Sequence, residues 1–487
     1  MTSLPQAVRI TTVDTVGDLP ARAPLARACM RENVDPAVLD AQHVLRPWQN
    51  FGNRSLPKVI ERGEGIHIFD STGKRYVDAV AGLWCTNIGL GRREMADAVA
   101  EQTLKLAYAN AFVDQTNSPA ARLAARIADI APGDLNRVHF TTCGSTAMDT
   151  AARMVGFVQS CMGRPGKRGI VAREMSYHGS TYLAQSVGKR PGDRVPEFDY
   201  KEDNIWHVSA PYAYRAPDGL SGSAFTDWLV AEFENLIARV GADRIGGFVA
   251  EPIQASGGVL VPPDDYLRRM WEVCRRHDIL FVADEVVTAF GRVGKWFASE
   301  GLYGVTPDII TVAKGLTSGY QPLAAVIFSD RVWDAMANDD SRWFTSGFTY
   351  AGHPVACASG LCNLDIVQRE SLVEHADTVG VYLEERLSTL IDLPLVGDIR
   401  GRRLMQCIET VANKTTRTPL PVEAEATVRI ARTCSDQGLI VRPLGQNVVM
   451  SPPLILSEET VDFIAETLRG AIRFTADGLV RDGFRVS

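Results

Sequence analysis

The sequence predicts an α/β fold, with a largely parallel sheet covered on both faces and a smaller α+β part completing the chain. Two patterns predict it. From about Arg137 to Phe328, short apolar segments without polar alternation recur between amphipathic helical stretches, as expected for strands buried on both sides. After about Ala356 the pattern changes to helices mixed with short strands. A length of 487 residues allows more than one core region.

Residues 1–30 are rich in Ala, Pro, Thr and Val without a period and read as an N-terminal arm. Residues 31–85 read as the N-terminal part of a small domain. Within them Ile66–Phe69 and Arg75–Asp78 alternate about Asp70-Ser-Thr-Gly73, a hairpin with glycine in its turn. Trp84 follows in a glycine-punctuated loop. Residues 86–355 read as the large domain, opening with helices over Arg93–Lys105 and Asn117–Ile130. Its strands are expected near Val138–Thr141, Gly169–Ala172, Gly247–Glu251, Ile279–Asp284, Ile309–Ala313 and Leu323–Phe328. Helices are expected over Asp227–Val240 and Pro263–His277. Residues 356–487 read as a C-terminal small domain, with a helix over Ala424–Gln437, strands around Leu439–Arg442 and Val448–Met450, and a last helix. Ser457 caps that helix ahead of an acidic first turn.

Composition excludes several classes. Charged residues are 22% of the chain and the net charge is −7, with the basic residues scattered, which argues against a nucleic-acid partner. No apolar run approaches the about 20 residues that span a bilayer, and no secretory signal precedes the first helix. Nine cysteines without a C-x-x-C pair suggest reduced thiols and a cytoplasmic protein. The eight histidines form no ligand cluster, so no metal is expected.

Ligands of parallel sheets bind beyond the carboxyl ends of the strands, and chemically notable residues fall there. Lys314 ends an apolar strand and precedes Gly315. Taken alone it fits either a lysine running out to solvent or a desolvated amine that forms a Schiff base. Thr141-Thr-Cys-Gly-Ser-Thr146 lies between strand and helix, where Gly144, Ser145 and Thr146 suit either an anion or plain capping. Asp284 and Glu285 end another buried strand; a protonated ring nitrogen, a metal or a helix cap are alternative partners. Tyr177 and His178 sit in a turn where the ring of Tyr177 can stack on a flat ligand. Thr349 carries a hydroxyl ahead of a helix, suited to a phosphate or to capping.

One cofactor accounts for all of these together. Gly144-Ser145, Tyr177-His178-Gly179, Glu251-Pro-Ile-Gln254, Asp284-Glu-Val286, Lys314-Gly315 and Thr349-Tyr350…Gly352-His353-Pro354 resemble the motifs of class III aminotransferases. The resemblance runs from about Arg62 to about Leu468. It implies fold-type I, with a seven-stranded, mostly parallel central sheet, and dependence on pyridoxal 5′-phosphate. Ala81–Gly89, Tyr177–Thr181 and Ile440-Val-Arg442 resemble the ω-transaminases, which pass amino groups from amines to pyruvate.

By that resemblance Lys314 carries the cofactor as a Schiff base and shuttles the proton, and Asp284 pairs with the ring nitrogen. Tyr177 and Val286 sandwich the ring beside His178, and Gly144, Ser145 and Thr146 hold the phosphate. Thr349 reaches the phosphate of a neighbouring subunit, implying a homodimer or homotetramer with the active site at the interface. Trp84 lines the substrate pocket with Tyr177, and Arg442 binds the carboxylate of the oxo-acid acceptor. The partners are therefore an amine donor and an oxo acid. The same cofactor and scaffold also support a decarboxylase, racemase or aminomutase. Two positions depart from the family: Thr146 replaces a glutamate after Gly-Ser, and Ser346 replaces a histidine before Gly-Phe-Thr-Tyr.

Overall fold

A computed structural model describes residues 34–52 and 55–486. The arm expected over residues 1–30 lies outside the described residues. The chain divides into two compact units, Met1–Gly63 with His67–Tyr76, and Glu64–Ile66 with Val77–Ser487. Residues 86–355 and 356–487 belong to the same unit.

The first unit contains the helix Pro36–His43, capped by Asp35, whose carboxylate accepts from Ala37 N at 2.8 Å. Strands β1 (Ile60–Glu64), β2 (His67–Asp70) and β3 (Arg75–Asp78) follow, the last ending in the second unit. Asp70 ties the expected hairpin turn. It accepts from Thr72 N (2.9 Å), Lys74 N (3.1 Å) and the Tyr76 hydroxyl (2.6 Å). The Thr72 and Tyr76 hydroxyls hold its carboxyl well below the usual range.

The second unit is built on a seven-stranded sheet. Its strands are β4 (Leu135–Thr141), β5 (Gly169–Arg173), β6 (Ile205–Val208), β7 (Ile245–Ala250), β8 (Leu280–Asp284), β9 (Ile309–Val312) and β10 (Ala324–Ser329), in the order β4-β10-β9-β8-β7-β5-β6. From β9 to β6 all neighbours are parallel, and β10 is antiparallel to both β9 and β4. Two reversals leave β4 pointing the same way as β9, so the ends of β4, β5, β7, β8 and β9 share one edge. β6 is the strand that the apolar pattern does not predict: Ile-Trp-His-Val at the sheet edge is buried only at its two ends.

Alternate residues of the central strands face opposite layers. Val249, Val282, Ile309 and Val326 pack on Met148, Ala151 and Val155 of the helix Gly144–Cys161. Phe248, Phe281, Ile310 and Ile327 pack on Phe233 and Met270 of the helices Gly222–Val240 and Tyr266–Arg276. Both faces are therefore dry, which is why the strands lack polar alternation.

The C-terminal region forms a second sheet, β11 (Val396–Arg402), β12 (Met405–Thr410), β15 (Asn447–Met450) and β14 (Arg442–Leu444) in that order. Between them β13 (Leu439–Ile440) pairs in parallel with Val77 and Asp78 of β3. The helices Leu372–Ser388, Ala426–Asp436 and Glu458–Arg481 share a core with these strands. Ser457 caps the last helix as expected, accepting from Thr460 N at 3.3 Å.

Candidate active site

A cavity of about 390 Å³ opens at the edge where the parallel strands end. Each wall comes from one strand end. β4 runs into Thr142–Ser145, β5 into Tyr177–Gly179, β7 into Glu251, β8 into Asp284, and β9 into Lys314. Because β10 runs the opposite way, its start brings Gln321–Leu323 to the same wall.

Lys314 follows β9 with a left-handed backbone, φ +44°, a conformation that costs a non-glycine residue roughly 1–2 kcal/mol. Such strain concentrates at functional positions. The residue lines the cavity. Burial lowers the pKa of its amine, while Cys85, Asp284 and Glu251 act in the opposite direction.

Asp284 is 5% exposed and held from three sides. Its Oδ1 accepts from Val286 N and from the Thr311 hydroxyl, both at 3.1 Å, and its Oδ2 lies 2.7 Å from His178 Nδ1. The opposite nitrogen, His178 Nε2, is buried with no hydrogen-bond partner among the described residues. Glu251 accepts from Tyr177 N (3.2 Å) and Ala255 N (2.8 Å), and burial raises its pKa. Glu285 has a different task. It faces away from the cavity and accepts from the Thr288 hydroxyl (2.7 Å), Ala298 N (2.8 Å) and Ser299 N (2.7 Å), stapling the next helix.

The start of the helix Gly144–Cys161 forms the anion-binding end. Ser145 Oγ accepts from Ser180 N at 3.1 Å, which leaves its own proton to donate. Gly179 has φ +138°, and a Cβ there would lie 2.6 Å from Ser145 Cα, so the turn closes on the helix only with glycine. A Cβ on Gly144 would come within 3.0 Å of Val286 Cγ1. Thr146 is not brought to the cavity. Its hydroxyl accepts from Cys143 N (3.1 Å) and donates to Cys143 O (2.8 Å), the capping alternative.

Trp84 needs a correction. It is 1% exposed and packs with Ile253, Val259, Met405 and Val449. Its neighbours Leu83 and Cys85 line the cavity instead. The chain kinks at Gly82 and Leu83, φ +66° and −138°, and this rotates the large side chain into the core. Thr349 is exposed outside the cavity, its carbonyl accepting from Tyr108 Oη at 3.0 Å. The helix expected after it starts only at Pro354. Arg442, at the start of β14, is half-buried, is not among the residues lining the cavity, and makes no ion pair among the described residues. Burial and the nearby Arg190 lower its pKa. The sequence reading gave no role to Glu251, Thr311, Cys85 or Cys143. Glu251 was visible, since it ends a buried strand as Asp284 does; Thr311 was hidden inside an apolar run.

A family model described as aminotransferase class-III matches residues 49–472. The chain belongs to this family. It is 37% identical over 441 residues to the putrescine–pyruvate aminotransferase of Pseudomonas aeruginosa, covering 90% of this chain and 96% of that one. Among solved structures it resembles an (S)-enantioselective omega-transaminase from Thermomicrobium roseum, at 40% identity and TM-score 0.87, over 90% of this chain and 98% of the other. It also resembles the omega-transaminase of Pseudomonas jessenii in complex with PMP, at 36% identity and TM-score 0.88, over 91% and 98%.

The protein is thus an α/β aminotransferase dependent on pyridoxal 5′-phosphate. Its site fits that group. The helix start offers donors to an anion, the buried pair of Asp284 and His178 offers a carboxylate to a ring nitrogen, and His178 Nε2 is a buried polar atom with no partner among the described residues. No described helix is long and apolar enough to cross a membrane.

Proposed function

We propose that this aminotransferase moves the amino group of a primary amine or ω-amino acid to an oxo acid, with pyruvate as the acceptor. One observation carries the reading: Lys314, Asp284, Tyr177 and the Gly144–Ser145 helix start line a single cavity. Pyridoxal 5′-phosphate, when bound, supplies an electron sink for the charge left as a C–H bond breaks.

The cavity lining supports the following roles for the protein's own residues. Gly144 and Ser145 hold the phosphate at the helix N-terminus. Tyr177 and Val286 would hold the ring between them, and Asp284, fixed by Thr311 and His178, would supply a carboxylate to the ring nitrogen. Lys314 Nζ anchors the cofactor and moves the proton taken from the carbon that bears the amino group. Arg442 receives the carboxylate of the oxo acid, a role supported by its having no ion pair among the described residues.

The active unit is at least a homodimer in the cytoplasm. Support for the assembly is the exposed Thr349, outside its own cavity, beside the exposed aromatics Tyr108 and Tyr350. The test is a panel of amine donors with pyruvate, measuring alanine. Alanine should form with at least one amine, and Lys314→Ala should lower turnover by about 10²–10⁴-fold or more. Absence of alanine with every donor, or a Lys314→Ala enzyme that turns over repeatedly, overturns the reading.

A further inference from the structure

The segment after β7 folds back on itself. Gln254 and Leu260 pair as an antiparallel bridge, N to O at 3.1 and 3.0 Å in the two directions. Between them the chain makes a tight tip, in which Ala255 O accepts from Gly258 N (3.2 Å) and Val259 N (3.0 Å). Ala255 and Ser256 of this tip line the cavity. The carbonyl of Gly258 accepts from Arg400 Nε on β11 at 2.8 Å. Every nitrogen of that guanidinium is engaged. Nη1 donates to Asp398 Oδ2 (2.9 Å) and to Glu409 Oε2 (2.6 Å) on β12, and Nη2 donates to Asn447 Oδ1 (2.8 Å) on β15. Arg400 and Glu409 are 11% and 2% exposed, and Glu409 also accepts from Tyr212 Oη and from Arg215 Nη2 (2.6 Å). The bonds of Nη1 and Nη2 stay within one sheet and tie its strands together. The Nε bond leaves the sheet, so cohesion of the sheet does not account for it. Gly258 has φ +109°, and a Cβ there would lie 2.8 Å from Asn447 Nδ2 and 3.0 Å from Arg400 Nη2. Only glycine lets the loop approach the arginine this closely.

We propose that Arg400 is a positioning residue for the amine donor: through Gly258 O it fixes the tip that carries Ala255 and Ser256, and so sets how the cavity wall meets the donor's tail. Arg400 is not among the residues lining the cavity and acts through the loop. The inference rests on the reading of this cavity as the amine site. A wall held from outside the cavity binds the ground state and the transition state alike, so its loss shows in KM rather than in kcat.

The experiment measures kcat and KM for propylamine and hexylamine with pyruvate, in the wild-type holoenzyme and in Arg400→Lys and Gly258→Ala. Arg400→Lys keeps a cation beside Glu409 and Asp398, but a single ammonium lacks the fork that also reaches Gly258 O. Gly258→Ala leaves every charge in place and pushes the tip off the arginine. Both variants should raise the KM for hexylamine about tenfold, the lower end for a hydrogen bond from a charged group. The kcat should stay within about twofold, and the KM for the shorter propylamine should rise less. The double variant should lose no more than either single one, because both break the same contact. A wild-type KM for hexylamine in either active variant overturns the role of Arg400 alone. An equal fall in kcat/KM for both amines, together with lost cofactor absorbance, also overturns it, showing a structural role. A wild-type enzyme that converts neither amine removes the underlying reading together with this one.

Discussion

At Lys314 two unfavourable features coincide, a left-handed backbone and a cationic side chain partly withdrawn from solvent in the cavity wall. Both become useful if the amine must be neutral to attack an aldehyde, since burial lowers its pKa and favours the neutral form. A lowered pKa brings that form in at lower pH than for an ordinary lysine at 10.5. The rate at which apoenzyme takes up pyridoxal 5′-phosphate should therefore rise with pH and level off below 10.5, as a stopped-flow absorbance series will show. A rise that continues past 10.5 contradicts it. Asp284 is the other residue whose environment predicts behaviour. With Val286 N, Thr311 and His178 all directed at it, its charge has a fixed position. Asp284→Ala should slow the amine half-reaction by about 10²-fold or more, in the range for a preorganised charge; equal single-turnover rates reject its role. Lys314 and Asp284 were both legible in the sequence, because a charged residue ending an apolar strand stands out.

Among the elements, the helix Gly144–Cys161 and the turn Tyr177–Ser180 act as one device. The turn's Ser180 N donates to Ser145 Oγ, and Gly179 allows the approach. Gly179→Ala places a Cβ 2.6 Å from Ser145 Cα at φ +138°, so the turn must shift away from the helix start. Cofactor retention should fall by about tenfold or more, measured by equilibrium dialysis, since a strained backbone of this kind costs roughly 1–3 kcal/mol. Retention equal to wild type shows that the turn can relax without moving Ser145. Glycine in Tyr-His-Gly was readable as a turn; the partner it turns against was not. Thr146 shows the reverse, because capping and anion binding demand the same residue types at a helix start.

Across the second unit, Arg292 joins segments far apart in sequence. It is fully buried, donating to Leu404 O (3.2 Å), to Pro452 O and to Asn87 Oδ1 (2.7 Å), and burial lowers its pKa to about 10. Arg292→Met leaves three buried acceptors unsatisfied, a loss of about 3 kcal/mol or more. Thermal unfolding should shift down by several degrees, and Arg292→Lys should recover little, because one ammonium lacks the guanidinium's fork. An unshifted transition in Arg292→Met rejects the role. Arg292 carried no sequence signal of its own, since an arginine between glycines is ordinary, and Asn87 was visible only as part of the Ala81–Gly89 motif, with nothing to pair the two.

By itself the sequence determined the largely parallel α/β sheet apart from its edge strand β6, the strand ends that line the cavity, and the family to which its motifs belong. Strands buried on both faces must be continuously apolar, and charged residues that interrupt them need a chemical reason. Tertiary structure decided the rest. The kink at Gly82 and Leu83 turned Trp84 into the core and gave its place in the cavity wall to Leu83 and Cys85. Packing set Glu285 to staple a helix while Asp284, one residue earlier, faces the cavity, because adjacent residues at a strand end point to opposite sides. Folding also placed Arg190 against Tyr177, a contact between loop and turn that no local pattern encodes.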